Sequence, residues 1–199
     1  MSDTSSPPFV IPVIFGSVRA ERQGIKAARF MMSELARRGC EPVLVDPMEY
    51  RLPLLDKMYK EFDAGKAPAQ LEELAALYKR ADAFVIVSAE YNNSIPPALS
   101  NLLDHFLEEY FWRPAGIVCY SGGRFGGIRA AMQLRMMLGE LGAPSIPSLL
   151  AIPGIGAAFD DEGVPADPKF VERNEQFFQE LIWYAEALRS QRRKAGVPY

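Results

Sequence analysis

The loop after the first apolar stretch carries residue types that bind a phosphate. Residues 9–15 form an apolar run that stops at Gly16, and apolar residues return at helical spacing soon afterwards. The first amides of a helix lack internal partners, and the helix dipole adds positive potential there. Together with hydroxyl and guanidinium groups, such amides match a phosphate. The loop thus predicts the phosphate subsite of a mononucleotide, and a plain strand-to-helix turn is the alternative. Its candidate ligands are Ser17, Arg19, Arg22, Gln23, Gly24 and Ile25.

A second polar loop, residues 88–95, follows an apolar strand predicted over residues 83–87. A flat heteroaromatic ring needs an apolar face together with in-plane donors and acceptors. A tyrosine beside amide side chains supplies both, so this loop predicts contacts to such a ring. The candidates are Glu90, Tyr91, Asn92, Asn93 and Ser94.

A third loop, residues 121–127, contains four glycines. Glycine lets the backbone approach a ring edge closely, because no Cβ stands between them. The same glycines would also suit a strand-to-helix turn that packs closely against the sheet. The candidates for ring contact are Ser121, Gly122, Gly123, Arg124 and Phe125.

The elements that must position these loops alternate between strands and helices along the chain. The pattern predicts a three-layer α/β fold with a five-stranded parallel sheet of the flavodoxin-like order 2-1-3-4-5. In that order a ligand binds outside the carboxyl ends of strands 1 and 3, so the three loops should share one mouth. Strands are predicted over residues 9–15, 42–45, 83–87, 115–120 and within 145–152, and helices over residues 25–38, 69–80, 96–110, 128–141 and 169–193.

Composition narrows the class of protein further. The 199 residues are 49% apolar and 24% charged with a net charge of −3, which argues against nucleic acid as a partner. No apolar run approaches the ~18 residues of a membrane span. The two cysteines lie far apart, outside any metal-type spacing, which favours a reduced cytoplasmic protein. We expect a flexible polar tail over residues 1–8 with no secretory signal, and a single domain over residues 9–199.

Three motifs in these loops resemble those of the NAD(P)H-dependent FMN reductases, a flavodoxin-like family that includes quinone, azo-dye and chromate reductases. The motif G-S-x-R matches residues 16–19, and E-Y-N-x-S-x-P matches residues 90–96. The motif S-x-G-x-x-G-G-x-R matches residues 121–129. Arg22 departs from the family, in which serine is commoner at that position.

The resemblance implies FMN as the cofactor, with its phosphate in the first loop and its ribityl chain and ring between the other two. NADPH or NADH would pass hydride to FMN, and electrons would continue to a small-molecule acceptor: a quinone, azo compound, metal oxyanion or free flavin. No catalytic side chain and no metal is expected, because the flavin carries the chemistry. An FMN-binding electron carrier or regulatory module without pyridine-nucleotide turnover is the alternative, and a structural α/β protein is a third.

Three further expectations concern surfaces. The resemblance implies a homodimer or homotetramer, for which residues 46–62 and 109–113 offer aromatic and apolar side chains. The lone histidine, His105, is expected to be a packed or surface residue rather than a proton donor. The basic run over residues 189–194 is expected to be a solvated helix end.

Overall fold

Five parallel strands form one sheet in the computed structural model, which describes residues 7–198. The order β2-β1-β3-β4-β5 confirms the predicted topology. Most of the predicted tail, residues 1–6, lies outside the described residues, and the exposed Pro7 and Pro8 have no regular structure. The strands are β1 (Val10–Phe15), β2 (Glu41–Val45), β3 (Phe84–Ala89), β4 (Ala115–Tyr120) and β5 (Ser145–Ile152).

Helices cover both faces of this sheet. The side chains of α2, α3 and α4 join the apolar cluster on one face, and those of α1 and α7 join the cluster on the other. The two clusters and the sheet between them make the three predicted layers. The helices are α1 (Ile25–Arg37), α2 (Ala69–Arg80), α3 (Pro97–Asp104), α4 (Ile128–Glu140), α5 (Ile155–Ala158), α6 (Phe170–Arg173) and α7 (Glu175–Ala195).

The three central strands are buried on both faces, as their continuous apolar runs predict. Burial of each large aliphatic side chain contributes about 1.5–3 kcal/mol, which makes these strands the rigid base for the loops that follow them. β5 forms the sheet edge, and its register with β4 shifts between Ala115 and Ile117. Pro147, which has no N–H to donate, is tolerated at such an edge.

The prediction that the third helix extends to about residue 110 is wrong, because α3 ends at Asp104. The carbonyl of His105 accepts a hydrogen bond of 2.8 Å from the N–H of Tyr59, in the long connection between β2 and α2. A continuing helix would have used that carbonyl internally. His105 itself is packed: it is 1% exposed, and its Nδ1 lies 2.7 Å from the carbonyl oxygen of Asn101.

The last helix is interrupted where the sequence predicts continuity. α6 and α7 meet at Asn174, whose φ of −108° departs from helical values. Its side-chain amide donates a hydrogen bond of 2.7 Å to the carbonyl oxygen of Phe170. Such local bonding of an asparagine side chain to the backbone competes with helical geometry.

A cluster that we call the Asp82 clamp joins α7 to the amino end of the sheet. The Asp82 carboxylate lies 3.2 Å from Arg189 and 3.4 Å from Arg192, and it accepts a hydrogen bond of 3.2 Å from the N–H of Val10. Arg189 also donates to the carbonyl oxygen of Pro7 over 3.1 Å. The expectation of a solvated basic end is therefore wrong for Arg189, which is 9% exposed.

Candidate functional site

A cavity of about 740 Å³ opens at the carboxyl edge of the sheet, where β1, β3 and β4 end. Its volume lies in the range of roughly 300–1,000 Å³ that is typical of small-molecule sites. All three polar loops contribute to its lining. The predicted meeting of the loops at one mouth is thus observed, but the individual residues divide into those that face the cavity and those that do not.

The first loop supplies four predicted residues to the lining: Ser17, Arg19, Arg22 and Gln23. The Ser17 side chain lies at the back, 2% exposed, with its hydroxyl 2.8 Å from the hydroxyl of Tyr91. Arg19 is exposed, and within residues 7–198 its guanidinium forms no ion pair. This wall therefore presents a hydroxyl and an available guanidinium to the cavity.

Gly24 and Ile25 lie behind this wall rather than in the lining. A Cβ on Gly24 would stand 2.0 Å from Cζ of Tyr120, so only glycine lets the loop pass this ring. Ile25 begins α1 directly afterwards. Both residues fix where the helix starts, which places its amino end behind the cavity.

Arg22 has a carboxylate partner that the sequence did not predict. Its two terminal nitrogens donate to the two oxygens of Asp46 at 2.5 and 2.6 Å. A further hydrogen bond of 3.2 Å reaches the carbonyl oxygen of Ser17, and the guanidinium carbon lies 5.2 Å from the centre of the Phe15 ring. Arg22 thus ties the first loop to the end of β2.

The second loop contributes Glu90 and Tyr91 to the lining, and its other members turn away. Asn92 and Asn93 have φ of 51° and 62°, the left-handed values of a two-residue turn. The backbones of Tyr91 and Ser94 exchange two hydrogen bonds across this turn, at 3.0 and 2.9 Å. Gln133 of α4 then binds the Asn93 carbonyl at 3.0 Å and the Ser94 hydroxyl at 2.8 Å. Asn92, Asn93 and Ser94 therefore stand outside the cavity lining.

Glu90 joins the second loop to the amino end of α4. Its Oε2 accepts hydrogen bonds from the N–H of Arg129 at 2.9 Å and of Ala130 at 3.3 Å. The Arg129 side chain adds an ion pair at 3.3 Å. A carboxylate at this position satisfies free helix amides and complements the helix dipole, so part of the role of Glu90 is structural.

The third loop contributes Ser121 and Gly122 to the lining. A Cβ on Gly122 would meet no atom within 4 Å, and one on Gly123 would meet only the Ser121 hydroxyl at 3.9 Å. The other predicted members of this loop, Gly123, Arg124 and Phe125, are exposed outside the lining, and the Phe125 ring centre lies 4.8 Å from the Arg124 guanidinium. The open space at Gly122 is what a closely approaching ligand edge would need.

Sequence reasoning missed two lining residues within the first loop, Ala20 and Glu21, and three further parts of the cavity wall: Ala89, Tyr120 and the pair Ile155–Gly156. Ala89 and Tyr120 are the last residues of β3 and β4, so a strict reading of the carboxyl ends would have found them. Burial raises the pKa of Tyr120, which keeps its phenol neutral. Ile155 and Gly156 begin α5, whose position after β5 follows the same rule as the other loops.

Two other kinds of feature are absent from the part of the chain that the structure describes. No cluster of three or more histidine, cysteine, aspartate or glutamate side chains over residues 7–198 is arranged to hold a metal ion. None of the described helices combines the length and the apolar character needed to cross a bilayer. Burial raises the pKa of the Cys119 thiol to about 12, so this cysteine is not a nucleophile at neutral pH.

Comparisons with known proteins match one family model and several named relatives. The family model described as NADPH-dependent FMN reductase matches residues 10–156. A quinone reductase from Pseudomonas putida is 29% identical over 183 residues, covering 89% of this chain and 92% of that protein. The flavoenzyme NAD(P)H:(acceptor) oxidoreductase from Paracoccus denitrificans superposes with a TM-score of 0.71 at 19% identity, over 90% of this chain and 98% of that one. A flavodoxin from Pseudomonas aeruginosa superposes with a TM-score of 0.53 at 20% identity, over 91% and 99%. The last two matches concern the fold, which is flavodoxin-like as predicted.

Proposed function

The chain belongs to the NADPH-dependent FMN reductase family, and we propose that it binds FMN in the cavity at the carboxyl edge of the sheet and uses NADPH or NADH to reduce a quinone. The protein is an FMN-dependent oxidoreductase by its family and relatives. The assignment of the cavity and its residues to FMN, and the choice of acceptor, are our proposals. The single observation that carries them is that all three predicted loops line one cavity.

The residues present in this cavity fit FMN. Ser17 and Arg19 offer a hydroxyl and an exposed guanidinium at the amino end of α1, which suits a phosphate dianion. Tyr91 and Ile155 offer aromatic and aliphatic surface in the same lining, which suits a flat ring. Gly122 leaves space for a ring edge to approach the backbone. The cavity therefore combines a polar end for the phosphate with less polar walls for the ring.

FMN, when bound, supplies the capacity to accept hydride from a nicotinamide and to release electrons to an acceptor. The protein's task is to bind and orient. Ser17 and Arg19 would hold the phosphate, and Tyr91 is fixed by its hydroxyl contact with Ser17. Glu90 anchors the second loop to α4, and this contact fixes the position of the cavity wall that contains Tyr91. The neutral phenol of Tyr120 backs the first loop without adding a negative charge beside the phosphate.

We propose a small-molecule acceptor and no nucleic-acid partner. The relative from Pseudomonas putida is named a quinone reductase, which makes a quinone the first acceptor to test. The net charge of −3 disfavours binding to a polyanion. Azo compounds, metal oxyanions and free flavin form the rest of the acceptor panel.

The test of this function uses the purified protein loaded with FMN. NADPH or NADH added without air should bleach the flavin absorbance, and a quinone added afterwards should restore it. Steady-state turnover with quinone should follow ping-pong kinetics, since both substrates would use one flavin in turn. Bound FMN that pyridine nucleotide does not bleach would instead favour an electron carrier. Failure to bind FMN would overturn the proposed site.

We also propose a cytoplasmic homodimer or homotetramer, with residues 9–199 as one FMN-binding domain. Leu54 is 85% exposed and Leu55 40% exposed, so the connection between β2 and α2 offers apolar surface to a second subunit. Residues 109–113, the other segment that we expected at an interface, can contact a second subunit only in part, because Glu109 and Tyr110 are 4% and 1% exposed within their own chain. Light scattering at micromolar concentration tests the proposal, and a monomer would contradict it.

A further inference from the structure

We infer that Asp46 is a positioning residue for the phosphate subsite, which holds Arg22 against the end of β2 and cancels its charge, so that Arg19 supplies the positive charge available to the ligand. The inference rests on the proposed binding of an FMN phosphate in this loop. It goes beyond that proposal because it separates two arginines of the loop by role. It also names Asp46, which lies outside the loop, as a determinant of charge selectivity.

The geometry of the pair is that of a built contact rather than a chance surface encounter. Both nitrogen–oxygen distances, 2.5 and 2.6 Å, belong to a bidentate fork that fixes the guanidinium plane. The Arg22 side chain is 18% exposed and that of Asp46 3%. The Asp46 carboxylate accepts a further hydrogen bond of 2.9 Å from the N–H of Met48, so it is held from two sides.

The position of the pair connects it to the loop that binds the phosphate. Arg22 donates to the carbonyl oxygen of Ser17, whose hydroxyl lies in the cavity lining. The pair therefore fixes the loop at both of its ends, near residues 17 and 22. A buried carboxylate close to a phosphate would repel it, and the guanidinium of Arg22 removes that repulsion. The sum of the two charges is zero, so the pair adds order but little net attraction.

This arrangement predicts effects of opposite sign for the two halves of the pair. Arg22→Gln leaves the buried Asp46 carboxylate next to the loop without its partner, which disfavours a phosphate. Asp46→Asn leaves an uncancelled positive charge, which favours one. The double variant restores a neutral pair. If the Arg22–Asp46 pair were only a structural contact, both single variants would bind FMN more weakly, because both remove the same contact.

The experiment measures dissociation constants for FMN and for riboflavin, which lacks the phosphate, and takes their ratio for each variant. At low salt the ratio of riboflavin to FMN dissociation constants should fall on the order of three- to tenfold in Arg22→Gln and rise by a similar factor in Asp46→Asn. The double variant should return to within about twofold of the native ratio. Glu41→Gln is the matched control, because it removes an exposed ion pair with Arg80 far from the loop and should leave the ratio unchanged.

Three results would overturn the inference: no change in the ratio for any variant, a fall in both single variants, or a double variant as impaired as Arg22→Gln. The native protein is titrated first, before any variant is made. If it binds riboflavin as tightly as FMN, the proposed phosphate subsite itself is overturned. Thermal unfolding of each variant accompanies the titrations. If Asp46→Asn does not fold, Arg22→Gln and the double variant carry the test, because the double variant must recover what Arg22→Gln lost.

Discussion

Gly122 offers the sharpest test of where the flavin ring edge lies. The residue lines the cavity, and a Cβ there would meet no protein atom within 4 Å. Replacement by valine adds a stiff, branched side chain. Its Cβ would meet no protein atom, so the side chain would collide only with a ligand in the cavity. The protein should therefore tolerate Gly122→Val, and the ligand should not.

The magnitudes follow from this geometry. Because the new side chain meets no neighbour and φ is not in the left-handed region, the free energy of unfolding should change by less than about 1 kcal/mol. An extra side chain in a fitted site costs about 1–3 kcal/mol. That cost corresponds to roughly a five- to 150-fold loss of FMN affinity.

The assay compares thermal unfolding of the FMN-free variant with its FMN titration. Gly123→Val is the matched control for the position along the loop: its Cβ is similarly unhindered, with the Ser121 hydroxyl at 3.9 Å, but Gly123 lies outside the cavity lining. Gly123→Val should weaken FMN binding less than Gly122→Val does. Native FMN affinity in Gly122→Val would refute the placement of the ring edge against this loop. A large loss of stability with unchanged affinity would assign the glycine to packing alone.

Four other predictions follow from single residues. Arg19→Ala removes a charge-assisted donor worth about 1.5–3 kcal/mol, so FMN titration should show a loss of roughly one to two orders of magnitude with the melting temperature unchanged; native affinity would contradict the phosphate assignment. Gly127 has φ of 83°, and a Cβ there would stand 2.8 Å from the backbone of Tyr120, so Gly127→Ala should cost at least about 1–2 kcal/mol in urea unfolding. Asp82→Ala removes the carboxylate partner of two guanidinium groups in the Asp82 clamp and should cost about 3–5 kcal/mol in the same assay; a loss below about 1 kcal/mol would mean that the clamp is a weak surface contact. Burial raises the pKa of Cys119 to about 12, so iodoacetamide at pH 8 should leave Cys119 unmodified in the folded protein by mass spectrometry.

The fold was predictable because its signals are local. Each central strand is an apolar run bounded by polar loops, and each of the longer helices has apolar residues at helical spacing. The position of the site followed from topology, since parallel strands place their carboxyl ends at one edge. Ser17 and Tyr91 were found in this way although they are 74 residues apart in sequence.

What the sequence did not predict depends on contacts between distant segments. From the local sequence Arg22 is predicted to be a free cation, but in the structure it is paired with Asp46, which lies 24 residues later in the chain. From the local sequence Arg189 is predicted to lie in a solvated helix end, but in the structure it contacts Asp82, which lies 107 residues earlier in the chain. The end of α3 depends on Tyr59, which takes a carbonyl that helical periodicity assigns to the helix itself. In each case the local pattern was present in the sequence, but a contact with a distant segment determined the structure that formed.

The Asp82 clamp has a consequence for how the chain folds as it is made. At a synthesis rate of roughly 5–20 residues per second, the 107 residues between Asp82 and Arg189 separate the two by about 5–20 s. During that interval the nascent chain has a carboxylate at the amino end of its sheet without the cations that neutralise it. The apolar sheet face that α7 covers is also open at this stage. The ribosome-bound chain should therefore engage chaperones until α7 emerges.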